Sequence, residues 1–105
     1  MNPRDAFALN SRAEYEAKLG DIAAAREDIA RARAVTPKDL RLMVEAALVE
    51  ELGHQRGLAL KQLAEALRGG YPVRDIVSDP FWALLRSDPR FQKLPGVSRE
   101  NQPGR

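Results

Sequence analysis

Residues 37–66 read PKDLRLMVEAALVEELGHQRGLALKQLAEA, and the small and apolar positions of this stretch are found again 34 residues earlier. Pro37-Lys38-Asp39 repeats Pro3-Arg4-Asp5, Met43 repeats Leu9, and Ala47 repeats Ala13. Ala59 answers Ala25, Leu63 answers Ile29 and Ala66 answers Ala32, while Arg68 against Ala34 breaks the apolar pattern. A period of this length, with two helices per unit, marks a stacked helical repeat in which each unit buries its apolar face only against its neighbours. Chains of that kind usually bind other proteins.

Asp5 stands where an N-cap would, ahead of Ala6, Phe7, Leu9, Ala13 and Ala17, whose spacing places them on one side of a helix reaching about Lys18. Gly20 closes it. Asp21 caps a second helix from Ile22 to about Val35, with Ile22, Ala25, Ile29, Ala32 and Val35 at steps of three or four. Pro37 stops that helix and opens the next unit, where Leu40, Met43, Val44, Ala47, Leu48 and Leu52 form a wide apolar stripe up to Gly53. His54-Gln55-Arg56-Gly57 makes the turn. Leu58, Ala59, Leu63, Ala66 and Leu67 line the fourth helix, which Gly69-Gly70 ends by supplying positive φ.

Beyond Tyr71-Pro72 the spacing changes, and Ser78-Asp79-Pro80 recurs as Ser87-Asp88-Pro89 nine residues later. In each copy Ser or Asp can cap and Pro fits the first turn. Two short helices, about 80–86 and 89–94, are expected, with Phe81, Trp82, Leu84, Leu85, Phe91 and Leu94 covering the open end of the preceding pair. From Pro95 the apolar surface is too small to offset ordering entropy, so a disordered tail is expected. The division is two units at 3–36 and 37–72, a cap at 73–94 and a tail at 95–105.

Composition limits the function classes. With 105 residues, 44% hydrophobic and 30% charged, the chain fits one soluble domain or a piece of a longer array, able to bury about 60 to 70% of its unfolded surface. Cysteine is absent, which excludes disulfides, thiolate nucleophiles and cysteine metal sites. No run approaches the roughly 18 apolar residues of a membrane span, and the first five residues lack the apolar stretch of a signal peptide, so a cytoplasmic setting is expected. The net charge of +2 arises from 17 basic and 15 acidic residues. They are interspersed, as in Glu27 and Asp28 beside Arg31 and Arg33, which reads as a solvated helix face rather than a nucleic-acid stripe.

The positions of these small residues resemble the tetratricopeptide repeat. Ala13 and Ala47 correspond to the small residue of its first helix, Ala25 and Ala59 to that of its second, Ala32 and Ala66 to the later alanine, and Pro37 to the closing proline. Gly20-Asp21 matches the turn between helices. Arg12 and Glu16 depart from the pattern, standing where the family has Leu and an aromatic, and Gly53 lies one position early. The resemblance covers residues 3–71 and implies an all-α fold: two antiparallel helix-turn-helix units, stacked as a right-handed solenoid, plus a two-helix C-terminal cap. Residues 66–72, with Asp79-Pro80-Phe81 and 85–92, are similar to the closing segment of such arrays in bacterial multidomain proteins, serine/threonine kinases and transcriptional regulators among them. A start at Pro3 and a cap after Tyr71 read as the last two units of an array.

Candidates for chemistry are few. His54 lies in a turn without partners at ligand spacing, so it reads as a surface residue and no metal or cofactor is expected. Glu45, Glu50 and Glu51 read as solvated helix carboxylates rather than an acid-base pair. Asp79 and Asp88 each precede a proline at a helix start and read as caps. Gly69-Gly70 ends a helix instead of opening one after a strand, the reverse of a phosphate loop. Phe81 and Trp82 are expected to pack in the cap rather than form a binding platform.

What remains is the concave face that the resemblance implies, lined by Phe7, Asn10, Glu14 and Lys18 from the first unit and Arg41, Val44, Leu48 and Glu51 from the second. Asn10 and Glu14 stand where the family's carboxylate-binding members carry Lys and Asn, so a carboxylate clamp is not expected. The chain therefore reads as a non-catalytic module for a protein or peptide, with no nucleic acid or membrane partner. The alternative is a structural end piece that caps an array or pairs two copies, since no preceding unit covers Phe7 and Leu9.

Overall fold

The computed structural model describes residues 3–100, and every regular element among them is helical. Four longer helices, α1 (Pro3–Lys18), α2 (Ile22–Val35), α3 (Leu40–Leu52) and α4 (Arg56–Arg68), pack in pairs. The pairs are α1 with α2 and α3 with α4, and α3 also touches both helices of the first pair. A short α5 (Val73–Val77), three 3-10 turns (Pro80–Trp82, Leu85–Ser87, Pro89–Lys93) and α6 (Val97–Glu100) complete the described chain. None of these helices is long and apolar enough to cross a membrane.

The repeated alanines explain the close pairing: Ala13, Ala25, Ala32, Ala47, Ala59 and Ala66 all have 0% of their surface exposed. Helices packed roughly 8 to 10 Å apart leave no room for a longer side chain at such points. Large side chains gather elsewhere. Leu60, Leu63 and Leu67 of α4 meet Ile76, Trp82, Leu85, Phe91, Leu94 and Val97 in one cluster. The first pair is held by smaller clusters, Ala13, Ala17, Ala25 and Ile29 against Ala46 and Val49, and Ala6 with Ala32 and Leu42. Each buried Leu or Phe stabilises by about 1.5 to 3 kcal/mol, so most apolar stabilisation lies in the second pair and its cap.

The helix ends follow one scheme. At the end of α1 the Asp21 N–H donates to the Glu16 carbonyl (2.9 Å) and the Gly20 N–H to that of Ala17 (3.0 Å), with Gly20 at φ +92°. At the end of α3, Gln55 donates to Glu50 (2.8 Å) and His54 to Glu51 (3.1 Å), with His54 at φ +61°. Both are Schellman closures. His54 thus occupies the place of Gly20, 34 residues on, which accounts for Gly53 lying one position early. Of Gly69-Gly70 only Gly70 has positive φ. Gly69 is needed for another reason, because a Cβ there would sit 2.6 Å from Leu40 Cδ2.

Polar links replace apolar packing where the repeat pattern breaks. Arg12 of α1 donates from Nε and Nη2 to the two carboxylate oxygens of Asp28 on α2, at 2.7 and 2.6 Å. Asp28 is buried, and this guanidinium lowers its carboxyl to about 2. Glu16 hydrogen-bonds to Asp28, and that contact together with burial pushes its carboxyl up. Between the pairs, Arg26 of α2 holds Glu50 of α3 at 2.6 Å.

Several expectations need correction. α1 begins at Pro3, so Asp5 lies in its first turn, where its charge favours the helix N-terminus, rather than at the cap. The segment expected as a helix over 80–86 is two 3-10 turns, and 89–93 is a third, because an Asp-Pro start every nine residues leaves too few residues to propagate an α-helix. α5 was not expected, being too short for helical periodicity to register. Residues 95–100 of the expected disordered tail are ordered: Val97 is 0% exposed and Gly96, at φ +81°, brings it round against the cap core. The remainder of that tail, 101–105, lies outside the described residues.

Candidate partner-binding groove

Where α1 runs beside α3, Ala6, Phe7 and Asn10 face Thr36, Asp39, Arg41 and Leu42 across a cavity of about 200 Å³. Phe7 is 65% exposed, an aromatic side chain that nothing in the chain covers. The Asn10 Oδ1 is buried without a hydrogen-bond partner. Asp39 caps α3 by accepting from the Arg41 N–H at 2.9 Å, which fixes where Arg41 enters the groove. One and two turns further along α1, Glu14 and Lys18 hold each other at 2.9 Å.

The eight residues expected on one concave surface are therefore divided. Phe7, Asn10 and Arg41 share the groove, with Glu14 and Lys18 following on α1. Val44 is half-buried against the core of the second pair and Leu48 is buried within it. Glu51 pairs with Arg56 at 2.9 Å and lines another cavity, about 470 Å³, with Leu52, His54, Phe81 and Leu84. Of the two aromatics of the cap, Trp82 is 1% exposed and Phe81 half-buried, its ring edge-on to Trp82 at 4.7 Å.

Glu45 was read as a solvated carboxylate, and the structure corrects this. It lies on α3 one turn from Arg41, half-buried, and its Oε2 is buried with no hydrogen-bond partner. Burial pushes its carboxyl up to about 7; Glu14 and Asp79 push the same way, and Lys18 and Arg41 oppose them. Tyr71, at the end of α4, is also raised, chiefly by burial and then by Asp75. The signal was present in the sequence: residues 41, 45 and 48 share one helical stripe, but choosing 41, 44, 48 and 51 selected the stripe beside it. Glu50 and Glu51 are each in an ion pair.

The remaining candidates have structural places. Asp79 Oδ1 accepts from the Phe81 N–H and Asp88 Oδ1 from the Arg90 N–H, each at 2.9 Å, so both are caps. Arg90 also pairs with Asp88 at 2.8 Å and lowers its carboxyl to about 2. Among the described residues no three His, Asp or Glu side chains gather as a metal site would require. Comparison with protein-family models, with curated proteins and with solved structures found no match.

Proposed function

We propose that the chain is a non-catalytic interaction module of tetratricopeptide type, its helix pairs forming two antiparallel units of a right-handed solenoid. It holds a protein segment or peptide along the groove between α1 and α3, in a cytoplasmic setting. The observation that carries this reading is the pairing of an uncovered aromatic, Phe7, with the free-standing cation Arg41 beside a cavity on one face. Aromatic and arginine side chains dominate binding energy at protein interfaces. The fully buried alanines at 34-residue spacing support the repeat assignment.

The test uses the full chain as bait for a displayed library of random dodecapeptides. Peptides that bind the groove lose affinity with Phe7→Asp and with Arg41→Glu, both exposed positions whose replacement spares the core. Leu48 is unsuited to this purpose because it is buried, and Asp there would unfold the second pair. Binding that ignores both substitutions would refute the groove.

Tyr15 and Leu19 on α1, 65% and 68% exposed, favour a second role, as a structural end piece of a larger bacterial regulator or kinase that pairs two copies. Their counterparts 34 residues on are Val49, covered by the first pair, and Gly53, which lies against Ile22. Sedimentation at high concentration decides it: a monomer counts against pairing.

A further inference from the structure

Resting on the groove reading above, we infer that Glu45 anchors a cationic side chain of the bound peptide, a lysine ammonium or an arginine guanidinium. Its Oε2 is desolvated and accepts no hydrogen bond. A buried acceptor left in that state costs stability unless a donor arrives. The chain's own cations do not supply one. Lys18 is held by Glu14 at 2.9 Å, and Arg41, one turn away on α3, forms no ion pair with Glu45 among the described residues.

Charge fits the same occupant. The groups acting on Glu45 are Glu14 and Lys18 from α1, Arg41 from its own helix and Asp79 from the start of the cap. Tyr71, after α4, also faces it and is neutral at physiological pH. With Glu45 ionised, three carboxylates stand against two cations, and one positive group from outside balances the set. A carboxylate or phosphate would find two buried acceptors, Glu45 Oε2 and Asn10 Oδ1, and no free donor between them. Phe7 and the apolar wall of Ala6 and Leu42 suit an apolar residue beside the basic one. The anchor is opposite in sign to a carboxylate clamp.

The titration of Glu45 gives the anchor a second signature. Its carboxyl in the free chain stands at about 7, so roughly a tenth is ionised at pH 6 and roughly nine-tenths at pH 8. A peptide that requires the carboxylate gains affinity in that proportion, about tenfold. Proton release accompanies binding near pH 6.

The experiment takes dodecapeptides selected from the library and confirmed as groove ligands by their loss with Phe7→Asp. Lysine or arginine should be enriched at one position. For one such peptide, synthesised with lysine and with norleucine there, calorimetry on wild type should show the lysine form tightening about tenfold from pH 6 to 8 and the norleucine form not. Glu45→Gln, nearly isosteric, should weaken the lysine form at pH 8 by at least about tenfold and leave the norleucine form unchanged. A thermal melt of that variant verifies its fold, and the pH comparison on wild type stands without it. Groove ligands lacking a basic residue, or a lysine form indifferent to both pH and Glu45→Gln, would overturn the anchor and leave the groove intact. Failure to select any peptide sensitive to Phe7→Asp would overturn the groove and the anchor together.

Discussion

Gly20 and His54 close equivalent helices with the same pair of backbone hydrogen bonds, yet only one of them is a residue suited to positive φ. Exchanging their character gives opposed predictions. The left-handed conformation costs an L side chain roughly 1 to 2 kcal/mol, while glycine loses about 0.5 to 1 kcal/mol of extra entropy on folding. The balance favours His54→Gly by about 0.5 to 1 kcal/mol. The His54 side chain is exposed and makes no hydrogen bond or ion pair among the described residues, so its removal forfeits little. At Gly20 a Cβ would meet nothing within 4 Å. Gly20→Ala therefore suffers only from its backbone, by about 1 kcal/mol. For a domain of this size 1 kcal/mol shifts Tm by about 4 to 8 °C, so His54→Gly should raise Tm by about 2 to 8 °C and Gly20→Ala should lower it comparably. Circular dichroism melts and urea titrations with unchanged slope read both. A lowered Tm for His54→Gly, or shifts of the same sign in both variants, would refute the shared closure.

Val97→Ala should cost roughly 1.5 to 3 kcal/mol through lost burial and the cavity it leaves, read from the urea midpoint; a negligible change would mean that α6 does not dock on the cap. Ala59→Leu, at a crossing with 0% exposure, should cost roughly 1 to 3 kcal/mol by overpacking, and an unchanged melt would contradict the close approach of α3 and α4. Two carboxyls should give stability opposite dependences on pH. Asp28, lowered to about 2, stabilises above the ordinary carboxylate range and loses that contribution as pH falls toward 2, a limb that Asp28→Asn should lack. Glu45, raised to about 7, favours folding while protonated, so its contribution falls as pH rises from the carboxylate range to about 7 and stays lost above it. Glu45→Gln should accordingly be more stable than wild type at pH 8, with equal or lower stability there counting against a buried carboxylate.

The four long helices were legible because each carries an apolar stripe at helical spacing and a Pro, Asp or Gly at its ends, which are local properties. Their observed bounds, Ile22–Val35 for example, agree with that local reading. The cap was legible only as composition. Its Asp-Pro starts marked caps, but whether three to seven residues wind as α or 3-10 depends on what they pack against, and α5 and α6 are too short for any period to show. The groove was half legible. Phe7, Asn10 and Arg41 were found from their places in the repeat, whereas Leu48 and Glu45 exchanged roles, one entering the core and the other the groove. A helix of 13 residues such as α3 is contacted on several sides, and a stripe in sequence does not say which side is which.

By itself the sequence determined an all-helical chain with closely paired helices, because alanine spacing and breaker residues act through propensity and steric size along the chain. Tertiary structure alone decided where charge is buried. Arg12 meets Asp28 across 16 positions and Arg26 meets Glu50 across 24, while Glu45 is left without a partner. Desolvation and pairing depend on which side chains from distant segments arrive at one place, and that is fixed only when the helices pack.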